Sequence, residues 1–182
     1  MLTIASLTHH GMGRATDGQT LVPRTLPGEV VEFGADGKVR IITPSPDRVS
    51  APCLHYKSCG GCAVQHASDA FVVNWKQDIV RAALRAQGLN ADFRPVATSP
   101  DASRRRAKLA GQRTKKGVIV GFYARASDTI VPITDCRLLS PGLSQCMPAL
   151  QALTQLAGSR KGKVALTVME TGVGPDVLIE VD

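Results

Sequence analysis

Three cysteines lie close together in the stretch CLHYKSCGGC, which runs from Cys53 to Cys62. Cys59 and Cys62 are separated only by Gly60 and Gly61, a spacing at which two thiolates bind one metal ion or one face of a cluster. Thiolates select zinc or iron–sulfur clusters over magnesium or calcium. The two glycines remove Cβ atoms from a tight turn and leave amide N–H groups for the sulfur atoms. The stretch therefore predicts a metal centre.

A fourth ligand must come from outside these three cysteines. Zinc ribbons usually combine two short-spaced pairs of ligands, whereas this chain has one such pair. Three clustered cysteines and one remote cysteine are typical of [4Fe–4S] ligation. Cys136 follows a predicted strand whose loop can return to the trio, whereas Cys146 lies on the apolar side of a predicted helix, which favours a buried structural thiol. From spacing alone, a cluster, zinc and unliganded core cysteines stay open, and the candidate fourth ligands are His55, His66, Cys136 and Cys146.

Positive charge is concentrated in one part of the chain. The net charge is +7, but residues 1–50 hold five basic and five acidic side chains, whereas residues 101–140 hold nine basic and three acidic ones. Such a local excess favours either RNA phosphate binding or a solvated charged face. The candidate RNA-binding residues are Arg104, Arg105, Arg106, Lys108, Arg113, Lys115 and Lys116.

The elements that position these residues are predicted from periodicity and turn signals. Residues 1–48 contain short strand-like runs, including a hairpin in EVVEFGADGKVRII that turns at Asp36-Gly37, and predict a five-stranded barrel of the OB type. The stretch TPSPDRVSAP predicts a linker. SDAFVVNWKQDIVRAALRAQG predicts a helix that is capped by Ser68 or Asp69 and ends at Gly88.

The pattern returns to strands from about residue 104. GVIVGFYAR and TIVPI predict one hairpin, and KVALTVMET and PDVLIEVD predict another across GVGP. Between these hairpins, SPGLSQCMPALQALTQLAG predicts a single helix that begins at Ser140 and Pro141, with Pro148 an irregularity inside it. The fold class is therefore predicted to be α+β, with a small N-terminal barrel and a mixed central domain of antiparallel sheet and helices.

Composition sets the expected setting of the protein. No run of about 18 apolar residues suits a membrane span, and five cysteines with no secretory signal favour a reducing compartment. We expect a monomeric cytoplasmic protein that does not contact membranes. The chain stops within a strand-like run at Asp182, which suggests a truncated sequence.

Three motifs occur in order along the chain: IASLTHHGMGRATDGQTLVPRTLPGEVV, CGGCAVQH and GFYARASDTIVPITDCRLLSP. The first resembles a TRAM domain, and the three together resemble the iron–sulfur-containing uracil-C5 RNA methyltransferases. The resemblance implies a TRAM-like RNA-binding barrel at residues 1–50, an iron–sulfur loop at 51–68 and a central α+β domain at 69–182. It also implies a [4Fe–4S] cluster bound by Cys53, Cys59, Cys62 and Cys136, and Arg137 stands where the family motif D-C-P has proline. Gln65 and His66 match the tail of the loop motif without being ligands.

The resemblance implies the N-terminal RNA-recognition part of an S-adenosylmethionine-dependent RNA uracil-C5 methyltransferase, with rRNA favoured over tRNA as the substrate. Family members carry the cofactor loop, the catalytic cysteine and the general base in a C-terminal domain, so this chain alone is expected to be inactive. Arg104 and Arg106 match the family pattern Tyr-Arg-x-Arg, but its tyrosine is absent here. The alternative is a free-standing nucleic-acid-binding module with a structural zinc or iron–sulfur site and no catalysis. A downstream adenosylmethionine-binding domain would distinguish the two.

Overall fold

The computed structural model describes residues 1–181, so Asp182, at the end of the last predicted strand, lies outside the described residues. The described chain contains two five-stranded antiparallel sheets and three helices, which confirms the α+β class. The strands are β1 Leu2–Leu7, β2 Met12–Ala15, β3 Leu21–Pro23, β4 Val30–Phe33, β5 Val39–Thr43, β6 Arg106–Thr114, β7 Gly117–Tyr123, β8 Ile130–Pro132, β9 Val164–Thr171 and β10 Gly174–Val181. The helices are α1 Asp69–Ala86, α2 Pro141–Gln145 and α3 Met147–Ala157. No helix within residues 1–181 has both the length and the apolar character that a membrane crossing requires.

The first compact unit comprises Met1–Ala51 and Ala63–Thr98. Its sheet has the strand order β3-β2-β1-β4-β5, so the five predicted strands are confirmed. The β4–β5 hairpin turns through Gly37, whose φ of 73° lies in the left-handed region that glycine adopts without a steric penalty. The centre of the unit is formed by buried Ile4, Val22 and Val31.

The predicted linker is ordered, because a buried ion pair fastens it to the sheet. The side chain of Glu29 is fully buried and accepts hydrogen bonds from the amides of Leu26 (2.9 Å) and Ser45 (3.1 Å). Arg48 Nη2 donates to Glu29 Oε2 at 2.8 Å. Burial alone would raise the pKa of Glu29, but these hydrogen bonds and the charge of Arg48 outweigh burial and hold that pKa below its usual value. Residues 45–48 are therefore part of the fold of the first unit.

Helix α1 belongs to this first unit and begins and ends as its sequence predicts. Ser68 caps the N-terminus by accepting a hydrogen bond from the Phe71 amide, and Ser68 Oγ also donates to Asp47 Oδ1 at 3.0 Å. Gly88 follows the C-terminus with φ of 70°. These two residues set the length of the helix that follows the cysteine loop.

The second compact unit comprises Pro52–Cys62 and the residues from Ser99 onward. Its sheet has the order β10-β9-β6-β7-β8, and helices α2 and α3 pack against it through a core that includes Leu109, Leu150 and Leu166. The two predicted hairpins are confirmed as β7–β8 and β9–β10. The prediction of one long helix is wrong: α2 ends at Gln145 and α3 begins at Met147, because Pro148 fits the first turn of a new helix and has no N–H to continue the old one.

Candidate metal centre and basic segment

The cysteine loop is attached to the β7–β8 hairpin of the second unit. Cys59 forms an antiparallel bridge with Ala124, and the amide of Gly60 donates to Tyr123 O at 2.8 Å. The guanidinium of Arg125 donates to Cys62 O at 3.0 Å. The stretch that carries Cys59 and Cys62 is therefore positioned by backbone and side-chain contacts of the chain itself.

A second contact joins the cysteine loop to the segment that carries Cys136. His55 Nε2 accepts a hydrogen bond from the backbone amide of Thr134 at 3.3 Å, and it lies 3.2 Å from Thr134 Oγ1. Thr134 is two residues before Cys136, so this contact places the remote cysteine beside the loop. His55 Nε2 is occupied by these contacts, which favours a positioning role for His55 over a role as the fourth ligand.

The pKa of the Cys59 thiol depends on cysteines of the loop and of the Cys136 segment. Burial raises the pKa of Cys59, and the charges of Cys136 and Cys53 raise it further, because a second thiolate nearby disfavours the first. The amide of Gly61 donates to Cys59 Sγ at 3.3 Å and acts in the opposite direction. The structure therefore brings Cys53 and Cys136 within electrostatic reach of Cys59. Cys53, Cys59, Cys62 and Cys136 are all half-buried.

The chemistry of this donor set fits an iron–sulfur cluster. Across residues 1–181, no three His, Cys, Asp or Glu side chains stand together closely enough to hold a metal ion. A [4Fe–4S] cluster does not need its four thiolates to converge on one point, because each thiolate binds a different iron. The amide that donates to Cys59 Sγ is the kind of second contact that stabilises a ligating sulfur. The loop and the Cys136 segment therefore carry thiols of the type that iron–sulfur clusters use as ligands.

Cys146 is not among the cysteines whose charge acts on Cys59. Its Sγ donates to Gly142 O at 3.1 Å, and the residue, like Cys136, packs against the apolar core of the second unit. This environment agrees with the structural role expected from its helical position. His66, the remaining candidate, is buried in the first unit, where its backbone oxygen accepts from the Val49 amide.

The structure separates the basic segment into two groups, because most of it forms the central strand β6. Arg113 is half-buried beside Gly158 O, and Lys115 and Lys116 occupy the β6–β7 turn. At about 3.3 Å per residue, this turn lies about 30 Å from the start of β6. The exposed cations near that start are Arg104, Arg105, Arg106 and Lys108. The seven candidate residues therefore do not form one patch.

Comparison with known proteins identifies the family. No protein-family model matches the chain. An uncharacterized RNA methyltransferase of Brucella suis is 36% identical over 180 residues, which cover 94% of this chain and 43% of that protein. One of Caulobacter vibrioides is 39% identical over 175 residues, covering 92% of this chain and 42% of that protein. The 23S rRNA (uracil(1939)-C(5))-methyltransferase of Methylococcus capsulatus is 35% identical over 189 residues, covering 95% of this chain and 42% of that protein. The chain belongs to this family of RNA methyltransferases. It spans less than half the length of these curated relatives.

Two positioning residues of this chain could not be predicted from sequence spacing. Arg125 and His55 each make a contact with a residue that is more than sixty positions away, Cys62 and Thr134 respectively. The sequence marked these residues only by position: His55 is close to Cys53, and Arg125 is close to the end of a predicted strand. Such contacts become visible only when the loop and the hairpin are placed side by side.

Substitution of Gly60 tests how the second unit holds the cysteine loop. An added Cβ would lie 2.8 Å from Tyr123 O and 3.1 Å from Arg125 N, whereas on Gly61 the nearest atom is Cys59 Sγ at 3.4 Å. We expect Gly60→Ala to displace the loop at a cost of about 1–3 kcal/mol and to lower the metal content of the purified chain. Gly172→Ala, the control, adds a Cβ that meets no atom within 4 Å and should keep its metal. Equal metal content in the two variants would contradict the attachment of the loop at Gly60.

Proposed function

We propose that this chain is the RNA-binding and [4Fe–4S]-holding part of an S-adenosylmethionine-dependent RNA uracil-C5 methyltransferase that acts on rRNA. The observation that carries the proposal is the similarity to the Methylococcus capsulatus enzyme, whose name specifies uracil C5 of 23S rRNA, over 95% of this chain. The resemblance of the three ordered motifs supports the same reading. We propose that the protein acts in the cytoplasm as a monomer.

The cysteine site in this proposal has a structural role. Cys53, Cys59, Cys62 and Cys136 would hold the cluster, which supplies covalent links between two segments of the second unit. Gly61 donates its amide to Cys59 Sγ, Arg125 orients the backbone at Cys62, and His55 holds the segment before Cys136. Methyl transfer from a sulfonium to carbon moves no electron to or from the protein, so the proposal requires no redox step at this site.

Residues 1–50, which hold the sheet of the first unit, are proposed to act as a TRAM-like RNA-binding domain. Its five-stranded sheet supports this assignment, as does the LPGE motif, whose Glu29 anchors the following segment through Arg48. We propose that this domain ends at residue 50 and that the iron–sulfur loop ends at residue 68. Binding through phosphate contacts would give an affinity that falls steeply as salt increases.

The methylating groups are proposed to lie in the part of the protein that this chain does not include. The chain spans 43% of the Brucella suis relative, which leaves room for a cofactor-binding domain. In such a domain a cysteine thiolate would add to uracil C6, and C5 would take the methyl group from S-adenosylmethionine with release of S-adenosylhomocysteine. A general base would then remove the C5 proton as the thiolate leaves C6. Cys146 is not proposed as this nucleophile, because it packs against the core of the second unit.

Methyl transfer by the whole gene product tests the proposed function. The protein that joins these residues to the catalytic part is incubated with rRNA lacking the modification and with S-adenosylmethionine that carries a labelled methyl group. We expect 5-methyluridine on nucleoside mass spectrometry, and no labelled nucleoside when residues 1–182 are used alone. A methylated base other than uridine, or label on a position other than C5, would contradict the proposal.

A further inference from the structure

Arg137 is an exposed cation that neither the basic segment nor the cysteine site includes. It follows Cys136 directly and stands where the family motif has proline. Together with Arg104 and Arg106, it is exposed and forms no salt bridge with any carboxylate among residues 1–181. A guanidinium in this condition presents its fork of N–H donors to solvent, which suits a phosphate oxygen.

Backbone hydrogen bonds place Arg137 beside the start of the basic segment. The amide of Ala102 donates to Arg137 O at 2.8 Å, and the amide of Arg104 donates to Leu138 O at 2.9 Å. The amide of Ser140 donates back to Arg104 O at 3.0 Å, and Arg104 forms a parallel bridge with Leu139. Paired backbones of this kind lie about 4.8 Å apart. Residues 102–104 and 137–140 therefore form one short ladder that carries arginines on both sides.

The charge around this ladder is positive. The cations of the ladder and of the adjoining strand start are Arg104, Arg105, Arg106, Lys108 and Arg137. The carboxylates nearby are Asp101 and Asp135 in the flanking sequence and Glu170, whose Oε2 accepts a hydrogen bond from Ser140 Oγ. Lys108 is paired with Glu180 at 3.2 Å, and Arg105 donates to the backbone oxygen of Glu170 at 3.1 Å. Arg104, Arg106 and Arg137 are thus the cations of this group that remain available to an anion.

We propose that Arg137, Arg104 and Arg106 form an RNA phosphate-binding site whose arrangement is fixed by the Cys136 segment. The inference rests on the proposed function, because it takes RNA as the polyanion and Cys136 as a metal ligand. Since Cys136 and Arg137 are adjacent, any group that holds the thiol also limits the motion of the Arg137 backbone. A binding site that is already ordered loses less conformational entropy when it binds its ligand. Occupancy of the metal site and affinity for RNA are therefore coupled.

Fluorescence anisotropy with a labelled RNA hairpin that has a uridine-rich loop tests the site. We expect Arg137→Ala to weaken binding by about tenfold at low salt and to reduce the slope of log affinity against log salt by about one. Arg160→Ala removes the same charge from an exposed residue between α3 and β9 and should leave the affinity within about twofold. Arg137→Lys should retain the salt slope. If Arg137→Ala and Arg160→Ala weaken RNA binding equally, the effect comes from net charge alone and the proposal is overturned.

A separate experiment tests the coupling between the metal site and RNA affinity. Cys136→Ser leaves the arginines of the ladder in place, yet it should weaken RNA binding, and the effect of Arg137→Ala should shrink in that background. An unchanged affinity of Cys136→Ser would overturn the coupling. If the wild-type protein and Arg137→Ala bind this RNA with the same steep salt dependence, the arginine site is wrong and the proposed function is unaffected. Wild-type protein that does not bind the RNA at all would contradict the proposed function itself.

Discussion

Replacement of Cys136 by serine is expected to eliminate the metal centre, whereas replacement of Cys146 by serine is expected to leave it intact. Cys136 lies two residues from Thr134, which His55 contacts, and its charge acts on Cys59. A serine hydroxyl is a hard, weakly acidic donor that does not replace a thiolate on a soft metal. Cys146 instead donates to Gly142 O and is not among the cysteines whose charge acts on Cys59. The two cysteines are therefore predicted to behave in opposite ways.

This contrast is measured by iron and sulfide content and by visible absorbance after anaerobic purification. Cys53→Ser should lose the cluster along with Cys136→Ser, since both thiols act on Cys59. The sheet of the second unit should persist in all three variants, as judged by far-ultraviolet circular dichroism, because its core does not depend on a thiolate. Full metal content in Cys136→Ser would show that the fourth ligand is another residue.

The second large effect is expected at Glu29. Glu29→Ala removes the partner of Arg48 and leaves the amides of Leu26 and Ser45 without their acceptor. Removing one member of a buried ion pair costs about 3–5 kcal/mol, and the partly exposed Arg48 places this case near about 3 kcal/mol. We expect the free energy of unfolding of the first unit to fall by that amount.

Trp75, the single tryptophan of the chain, lies in α1 of the first unit and reports on this transition by its fluorescence during denaturant unfolding. Glu32→Ala, on strand β4, is the control and should change stability by less than about 0.5 kcal/mol. If Glu29→Ala lowers the free energy of unfolding by as little as Glu32→Ala does, the ion pair does not hold the segment from Ser45 to Arg48.

The same carboxylate gives a pH dependence with a definite sign. Because the pKa of Glu29 is lower in the folded state than in the unfolded chain, its contribution is fully present above the unfolded pKa. It is lost as the pH falls through the folded pKa. Wild-type stability measured by Trp75 fluorescence should therefore decline on acidification more steeply than that of Glu29→Ala. Parallel pH profiles would contradict the assigned role of Glu29.

Local features of this fold were predictable because they depend on neighbouring residues. Gly37 turns the β4–β5 hairpin, and Ser68 and Ser140 cap their helices, as their residue types indicate. The break between α2 and α3 also had a local signal in Pro148, which the apolar periodicity outweighed in the prediction of one helix. Signals of this kind act within one or two turns of the chain.

Features that depend on distant pairing were not predictable from the sequence. The segment TPSPDRVSAP has the composition of a linker, yet Arg48 reaches Glu29 nineteen positions earlier and fixes it. The basic segment reads as one patch, yet β6 places Arg113 against Gly158 and separates it from Arg106. Such contacts follow from the pairing of strands, which a local pattern does not encode.

Metal analysis of the wild-type chain purified without oxygen tests the central claim most directly, because the cysteine site distinguishes a cluster-bearing methyltransferase fragment from a plain nucleic-acid-binding module. The account predicts about four irons and about four acid-labile sulfides per chain, with a brown colour that is lost in Cys136→Ser. One zinc per chain and no iron would contradict it.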